Sequence, residues 1–372
     1  MKRIQLVTSK KELKWFIDFP HELYKNDPYY VPELFIAQRD LLTKHPFLKH
    51  SEIALYLAFD GDQVVGRIAA ILNNNHNSFN QTKDGFFGFF DTINDIGVVQ
   101  LLVNKAEEWL KAKGVTKIMG PMNPSTNESV GLLVDGFNSS PVAMMTYNFS
   151  YYQSLLEEVG FKKMEDLIAY DFDMNDFDDK PLKVMNVFRE RLERKGITIR
   201  LGNLKNFDQE VEGVRLAYNQ AWDKNMGFVP MTDEEFRYLA KDLKLVLDKD
   251  FLLVAEHAGK IIGFALCIPD VNQIQKDIKR GRLFPTGLWK LLTRKSKIKG
   301  LRIIALGVTE HYRRMGIEAV FYGIIMQKAV EKGIKNTEAS WILEDNELMN
   351  RAIINMKGRP YKRYRIYEKN VV

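Results

Sequence analysis

The sequence predicts an α/β protein made of two similar halves in tandem. At 372 residues the chain is too long for one ordinary hydrophobic core, so two domains are expected. A hairpin, a strand, a helix and a further strand follow one another in each half of the chain, which is a coarse internal repeat. We place the two domains at residues 1–180 and 181–372.

The first half shows its elements through hydrophobic periodicity and turn residues. Two β-prone runs within Ile53–Leu72 flank a DGD turn, which is typical of a hairpin. An aromatic strand is predicted at residues 85–91 and an amphipathic helix at Asp95–Lys113, closed by Gly114. A strand of sequence VTKIMGP follows, and Ser9 is placed to cap an earlier helix.

The second half repeats this pattern after an acidic, turn-forming stretch at Asp171–Pro181, which is interpreted as a linker or edge region. Helices are predicted at Phe207–Lys224 and Thr232–Leu247, and a second hairpin at Phe251–Asp270. The strand Thr337–Ile342, a helix and a closing strand, YKRYRIYEK, complete the half.

Composition excludes several classes of protein. The net charge of +6, from 54 basic and 48 acidic residues, permits anionic ligands but does not indicate a nucleic-acid partner. A single cysteine, Cys267, allows no internal disulfide and no cysteine zinc site, and its apolar surroundings indicate a buried, inert thiol. No signal-like or membrane-spanning run is found, and the six histidines form no ligand-spaced cluster. We expect a cytoplasmic protein without a metal.

The most informative stretch is Leu301–Gly333, where a β-branched strand at Ile303–Val308 leads into a helix. The turn between them, Arg313–Ala319, is basic and contains Gly316. The first N–H groups of a helix lack internal partners and carry partial positive charge, so this turn suits a pyrophosphate or a similar anion. By itself it fits equally well a helix start with two solvated arginines.

The same stretch resembles motif A of the GNAT superfamily of acyl-CoA N-acyltransferases, whose turn follows the pattern R/Q-x-x-G-x-G/A. Arg313 and Gly316 match this pattern, whereas Glu318 stands where Gly or Ala is usual and Ala319 follows it. The element order of both halves is also GNAT-like, as is the helix before Gly-Phe at Tyr151–Lys163. The resemblance implies two tandem GNAT-like domains, each with a mixed, mainly antiparallel central sheet flanked by helices.

The resemblance also implies where a donor binds. An acyl-CoA, or an acyl-carrier protein in its place, would lie in a splay between the strands Ile303–Val308 and Thr337–Ile342. The residues implied to hold its pantetheine are Leu306, Gly307 and Val308, and those implied to hold its pyrophosphate are Arg313, Arg314, Met315, Gly316, Ile317, Glu318 and Ala319.

Acyl transfer to an amine needs a route for the amine proton and a proton donor for the thiolate. The candidates for the base are Glu338, which faces either the splay or solvent, and Glu310 after the preceding strand. The tyrosine that the superfamily usually provides as acid would fall near Ile353, where none stands. The alternatives are a tyrosine of the last strand, water, or a domain that has lost transfer chemistry; the tyrosines are Tyr364, Tyr361 and Tyr367.

The first half lacks an equivalent anion turn. Between Asp91 and Gly97 there is no arginine, and Asp95 would repel a pyrophosphate, so this half is interpreted as a degenerate copy that shapes the acceptor pocket. Its loop at residues 120–137 has polar side chains that either line a cleft or serve turn chemistry; these are Asn123, Ser125, Asn127 and Glu128.

Three functions remain open on sequence grounds. The favoured one is an N-acyltransferase that moves an acyl group to the amine of a small molecule or amino acid. The segments PDVNQ, GRLFP, WILEDN and YRIYEK, together with the basic turn, resemble a group of bacterial GNAT-like proteins. Some long-chain N-acyl amino acid synthases are similar to that group, which suggests an acyl group longer than acetyl. The missing tyrosine motivates a non-catalytic acyl-CoA-binding or scaffold protein as the alternative. The segment Leu283–Leu292, apolar among basic residues, is interpreted as a lid, an interdomain or partner-facing helix, or a peripheral membrane contact. The last interpretation gives the third function, a lipid-surface-binding protein.

Overall fold

The computed structural model describes residues 2–176, 180–222 and 228–371. Within them, one continuous sheet of 13 strands crosses the whole molecule, and a separate two-stranded ribbon joins β6 to β7. The strands, in chain order, are β1 Lys2–Leu6, β2 Ser51–Asp60, β3 Gln63–Asn73, β4 Asp84–Thr92, β5 Lys117–Gly120, β6 Met122–Asn123, β7 Ser129–Val130, β8 Leu132–Asp135, β9 Lys162–Asp173, β10 Ile197–Leu201, β11 Leu252–His257, β12 Lys260–Pro269, β13 Gly300–Val308, β14 Asn336–Leu343 and β15 Arg359–Asn370.

Helices cover both faces of this sheet, and most of the sequence-based boundaries hold to within a few residues. The α-helices are α1 Lys10–Leu23, α2 Phe35–Thr43, α3 Asn74–Asn80, α4 Ile96–Lys111, α5 Tyr151–Glu158, α6 Lys180–Glu193, α7 Phe207–Trp222, α8 Asp233–Val246, α9 Asn272–Gln275, α10 Leu288–Thr293, α11 Ile317–Glu331 and α12 Glu347–Asn355. The predicted end of α7, at Lys224, lies outside the described residues.

Local sequence explains how several of these helices begin. Ser9 and Thr232 each form a capping box with a glutamate three residues later, so two otherwise unpaired amides at each helix start are satisfied. Asp95 caps α4 by accepting a hydrogen bond from the Val98 amide. Past the end of α4, Gly114 adopts a left-handed conformation, with φ of 79°, that a side chain would disfavour.

The two halves exchange their last strands. The order along the sheet is β1-β2-β3-β4-β5-β15-β9-β14-β13-β12-β11-β10, and the thirteenth strand, β8, pairs with β15 off this path. Strand β15 therefore lies beside the first half and β9 beside the second. The parallel pairs are β4–β5 and β13–β14, at equivalent places in the two halves, and the other pairs are antiparallel. The predicted fold class is confirmed, and the exchange joins the two expected sheets into one. The division at residues 180 and 181 stays a prediction.

Alternating residues of the strands feed cores on opposite faces of the sheet. In β3, Ile68 and Ala70 belong to the cluster beneath α4, whereas Ala69 and Ile71 belong to a cluster on the other face. That second cluster continues through β15 and β9 to Trp341 of β14. This shared face of the two halves is where the main cavity lies. No helix among the described residues has the length and apolar character needed to cross a membrane.

Candidate functional site

The predicted splay is present where β13 and β14 part. They pair in parallel from Gly300 opposite Asn336 to Ile303 opposite Ala339. Beyond this point β14 no longer pairs with β13, and its pairing with β9 on the other side shifts register between Ala339 and Ile342. On β13, Ile304 forms a bulge and has no partner in β12. A strand edge that loses its neighbour presents unpaired amides and carbonyls. The edge of β13 therefore offers hydrogen bonds to an extended amide-containing ligand such as pantetheine.

A cavity of about 910 Å³ opens from this splay. Leu306, Gly307 and Val308, the residues implied to hold pantetheine, line it. Helices α7 and α8 form its roof with mostly apolar side chains, among them Tyr218, Trp222, Phe236, Leu239 and Leu243. Gly307 is needed here because a Cβ at this position would overlap the indole ring of Trp222.

The floor of the cavity extends far beyond the splay. Seven neighbouring strands, from β4 to β12, contribute one apolar residue or more to it, namely Phe86, Met119, Ile366, Leu167, Trp341, Ile304 and Phe264. At roughly 4.8 Å between neighbouring strands, six intervals give a floor about 29 Å long. Its far end, in the first half, is polar, with His76 Nε2 and Asp84 Oδ2 3.3 Å apart.

The basic turn before α11 has the geometry of an anion site. Gly316 stands at the helix start in a left-handed conformation, with φ of 96°, and no side chain caps the first amides of α11. A Cβ at Gly316 would overlap the ring of Phe188 on α6. Both the backbone conformation and the packing against Phe188 thus require glycine at this position. Any substitution here disturbs the fold as well as the anion site.

The two arginines of the turn have different roles in the structure. Arg313 is exposed and lines the cavity, but its guanidinium donates to the carbonyls of Val308 at 3.2 Å and Ala221 at 2.6 Å. It ties the end of β13 to α7, so part of its hydrogen-bonding capacity is used within the protein. The phosphate contact by both arginines stays a prediction. Arg314 is likewise exposed and lines the cavity. Among the described residues its guanidinium makes no such bonds, so it is the freer of the two for a ligand.

Glu318 makes the departure from motif A more consequential than the sequence suggested. Its side chain lines the cavity, and burial raises the pKa of its carboxyl. The carboxylate accepts a hydrogen bond from its own backbone amide, one of the amides that an anion would use. Of the other turn residues, Met315 packs on the core and Ile317 is fully buried, and neither they nor Ala319 line the cavity.

Glu338 lies in a buried polar network beside the splay, not toward solvent. The side chain is 2% exposed, and its carboxylate accepts hydrogen bonds from Ser340 Oγ at 2.5 Å and from the Tyr361 hydroxyl. Arg302 is equally buried, and its Nε lies 3.7 Å from Glu338 Oε1. The same Nε donates to Ser340 Oγ at 3.1 Å. Burial raises the pKa of the Glu338 carboxyl, while the Arg302 charge opposes that shift.

Ser340 connects this network to the cavity, and sequence reasoning did not select it as a functional residue. Glu338 itself does not line the cavity, whereas Ser340 and Arg302 do. Ser340 is the first residue of β14 beyond the paired segment, so its hydroxyl stands where the strands begin to part. A β-strand places residues two apart on the same face. The spacing of Glu338 and Ser340 was therefore a signal available in the sequence.

The other predicted catalytic residues occupy less suitable places. Glu310 is exposed on the short turn after β13 and does not line the cavity, so its position does not favour the role of base. Tyr364 is fully buried in β15, its hydroxyl has no hydrogen-bond partner among the described residues, and it does not line the cavity. Tyr367 is likewise buried, as expected for strand packing.

Tyr322 is the tyrosine that reaches the cavity near the splay, and the sequence analysis missed it. It stands on α11 one turn after Glu318, and its hydroxyl is 3.9 Å from Sδ of Met349 on α12. The superfamily's usual tyrosine would come from α12, where Ile353 is fully buried instead. The Tyr322 hydroxyl, on α11, thus contacts the helix from which the superfamily's tyrosine would come. Burial raises the pKa of Tyr322, which keeps the phenol protonated and able to donate.

The first half has no comparable anion site at the start of α4. Asp95 occupies that position itself, capping the helix and pairing with Lys2 at 2.5 Å. Its loop does reach the cavity, because Ser125, Asn127 and Glu128 line it. Asn123 does not, because its side-chain oxygen accepts from the Phe89 amide. Among the described residues, no group of three or more His, Cys, Asp or Glu is placed to hold a metal ion, and Cys267 is fully buried.

Comparison with solved structures gives the class of fold. A tandem GNAT protein from the clavulanic acid biosynthesis pathway, solved without acetyl-CoA, matches 100% of this chain and 99% of its own length, with a TM-score of 0.60 and 11% identity. The chain therefore has a tandem GNAT fold over its whole length. No family model matches the sequence.

Comparison with curated proteins gives the family. Protein YghO of Escherichia coli (strain K12) is 34% identical over 99% of this chain and 95% of its own length. The bacterial ceramide synthase of Caulobacter vibrioides (strain NA1000 / CB15N) is 36% identical over 98% of this chain and 96% of its own length. The chain therefore belongs to the family that contains these two proteins.

Proposed function

We propose that this protein transfers a long-chain acyl group from a phosphopantetheine thioester to the amine of an amphiphilic acceptor that itself carries a long chain. The observation that carries the proposal is the long, mostly apolar cavity floor that starts at the splay. One relative is named as a ceramide synthase, and a ceramide is a lipid amide. Both point to an amide bond formed between two lipid-like substrates.

The length of the cavity indicates room for two hydrocarbon chains and not for one alone. The hydrocarbon core of a bilayer is about 30 Å thick and holds two lipid tails end to end. The floor of the cavity, at about 29 Å, has nearly the same length. A donor that contributes one tail and an acceptor that contributes the other would fill it, whereas an acetyl group and an amino acid would leave most of its apolar surface exposed to water.

The donor site suits the shared chemistry of acyl-CoA and acyl-carrier protein, which is a phosphate followed by pantetheine. The amides at the start of α11 and the guanidinium of Arg314 supply positive charge for phosphate. The unpaired edge of β13 at Leu306–Val308 supplies backbone partners for the pantetheine amides. Free CoA carries a further nucleotide, so binding of CoA and of a carrier protein distinguishes the two donors.

The chemistry that we propose is direct transfer. The neutral amine attacks the thioester carbonyl carbon, a C–N bond forms and the C–S bond breaks. The proton lost by the amine nitrogen passes to Ser340 Oγ, while the hydroxyl proton of Ser340 passes to Glu338. The leaving thiolate takes a proton from the Tyr322 hydroxyl, which regains one from solvent. Glu338 suits this task because burial raises its pKa and makes it a stronger base than an exposed glutamate.

The test is product formation from defined substrates. The purified protein is incubated with palmitoyl-CoA and a long-chain amino alcohol dispersed in detergent, and the amide is detected by mass spectrometry. We expect the long-chain amide, and far less product when acetyl-CoA or a free amino acid replaces either substrate. Palmitoyl-CoA binding with no turnover for any amine would contradict the proposal and favour the non-catalytic scaffold.

A further inference from the structure

An exposed apolar surface lies outside the cavity and has no role in the chemistry above. It is formed by α10, the residues before it and the end of α8, and we call it the docking face. Its five members are Leu245, Phe284, Leu288, Trp289 and Leu292, with exposed fractions of 72, 76, 38, 62 and 65%. Single exposed apolar residues are ordinary, but a group of large ones marks an interaction surface.

The charge around this surface is concentrated and of one sign. Residues 276–299 contain nine Lys or Arg and one acidic residue, Asp277, a formal charge of +8 against +6 for the whole chain. Arg294 pairs with that aspartate at 2.9 Å. Lys276, Lys279 and Lys297 are exposed and, within the part of the chain that the structure describes, none of them pairs with a carboxylate.

The docking face is held rigidly on the body of the protein. At its start, Arg282 pairs with Asp18 of α1 at 2.8 Å, and its guanidinium stacks on Phe35 at 3.6 Å. At its end, Lys295 Nζ donates to the carbonyl of Leu245 at 2.8 Å, which joins the segment to α8. The exposed aromatic rings are thus presented by an anchored element and not by a loose loop.

The same helix α8 connects the docking face to the cavity. Leu243 and Lys244 line the cavity, and Lys244 is also exposed, so the cavity reaches the surface there. Leu245, the next residue along the helix, belongs to the docking face and does not line the cavity. An opening of the apolar cavity therefore lies directly beside the exposed apolar and basic surface.

We propose that the docking face binds the surface of a membrane that contains anionic lipid. Trp289 and Phe284 insert among the headgroups, and the unpaired lysines contact lipid phosphate, a combination that anchors proteins in the plane of a membrane. The opening at Lys244 then meets the bilayer, so that long-chain substrates pass between membrane and cavity. This last step rests on the proposed function, whereas membrane binding itself does not.

The experiment measures sedimentation of the full-length protein with vesicles, in low and high salt. One set contains phosphatidylcholine alone, and the other contains phosphatidylcholine with phosphatidylglycerol. We expect binding to the anionic vesicles, weakened by salt and at least about ten-fold weaker in the double variant F284A/W289A. Both residues are exposed, so the variant should fold, which circular dichroism checks. The control, Val187→Ala on α6, removes an apolar side chain that is 68% exposed elsewhere and should bind like the wild type.

Binding to neither type of vesicle, equal binding to both, or unchanged binding by the double variant would each overturn the proposal. Turnover of detergent-dispersed substrates is measured on the same samples. The docking-face residues do not line the cavity, so the double variant should keep that turnover. Lost vesicle binding with retained turnover separates a failure of this inference from a failure of the proposed function.

Discussion

Replacement of Ser340 by alanine is the most informative single change, because it removes the link between the cavity and Glu338 without removing a charge. Glu338→Gln would leave the guanidinium of Arg302, which is 2% exposed, without its buried counter-charge. Breaking a buried ion pair in this way typically costs about 3–5 kcal/mol, a large part of the roughly 5–15 kcal/mol by which folded domains are stable. Ser340→Ala removes one donor to Glu338 and one acceptor for Arg302, at a cost of about 1–3 kcal/mol.

The effect of Ser340→Ala on activity should greatly exceed its effect on stability. Loss of a positioned proton-transfer group lowers rates by about 100- to 10,000-fold, and we expect kcat for amide formation to fall within that range while the acyl donor still binds. In the wild type, activity should also fall as pH drops through the pKa of Glu338. The pH at which activity declines should lie above the usual pKa range of a glutamate, because burial raises the pKa of Glu338. Only the ionised carboxylate accepts a proton.

A matched control is available in the same region. Ser139 carries a buried hydroxyl with no hydrogen-bond partner among the described residues, although its carbonyl accepts from Lys362. Ser139→Ala should therefore leave kcat unchanged. Initial rates by mass spectrometry and thermal unfolding are measured for both variants. A folded Ser340→Ala protein that keeps more than about a tenth of wild-type kcat would refute the relay through Ser340.

Three further predictions concern the donor side of the cavity. Tyr322→Phe should lower kcat by about 100-fold while Tyr364→Phe leaves it unchanged, and the reverse result would restore Tyr364 as the acid. Arg314→Ala should weaken CoA binding in calorimetry by about 10- to 100-fold, and an effect no larger than that of the exposed Arg194→Ala would remove Arg314 from the site. Glu318→Gln should tighten dephospho-CoA binding. In the wild type, affinity for dephospho-CoA should fall as pH rises and the Glu318 carboxyl ionises, whereas the affinity of Glu318→Gln should not change in this way. Equal pH profiles for the two proteins would contradict this.

The sequence predicted the fold well because hydrophobic periodicity and turn residues are local properties. The capping boxes at Ser9 and Thr232, the two hairpins and the strand–turn–helix around Gly316 all depend on neighbours within a few residues. The exchange of β9 and β15 could not be predicted in this way. It depends on which strand edges remain free after each half has folded, a relation between residues nearly 200 positions apart.

The candidate site was predicted only where a motif is continuous in the chain. The turn before α11 was located correctly, but the guanidinium of Arg313 is bonded to a carbonyl of Ala221, which lies on another helix. Tyr322 was missed because a tyrosine was expected on α12, whereas Tyr322 lies on α11 and contacts α12 only through Met349. Burial of Glu338 beside Arg302 likewise depends on the pairing of β13 with β14.

The central claim is that the cavity selects long chains, and the chain-length dependence of kcat/KM tests it most directly. With one long-chain amine held constant, acyl-CoA donors from acetyl to palmitoyl are compared at concentrations below micelle formation. Each buried methylene contributes about 0.8 kcal/mol, close to four-fold, so kcat/KM should rise by more than about 100-fold along the series before it levels off. A flat series, or a preference for acetyl-CoA, would contradict the account.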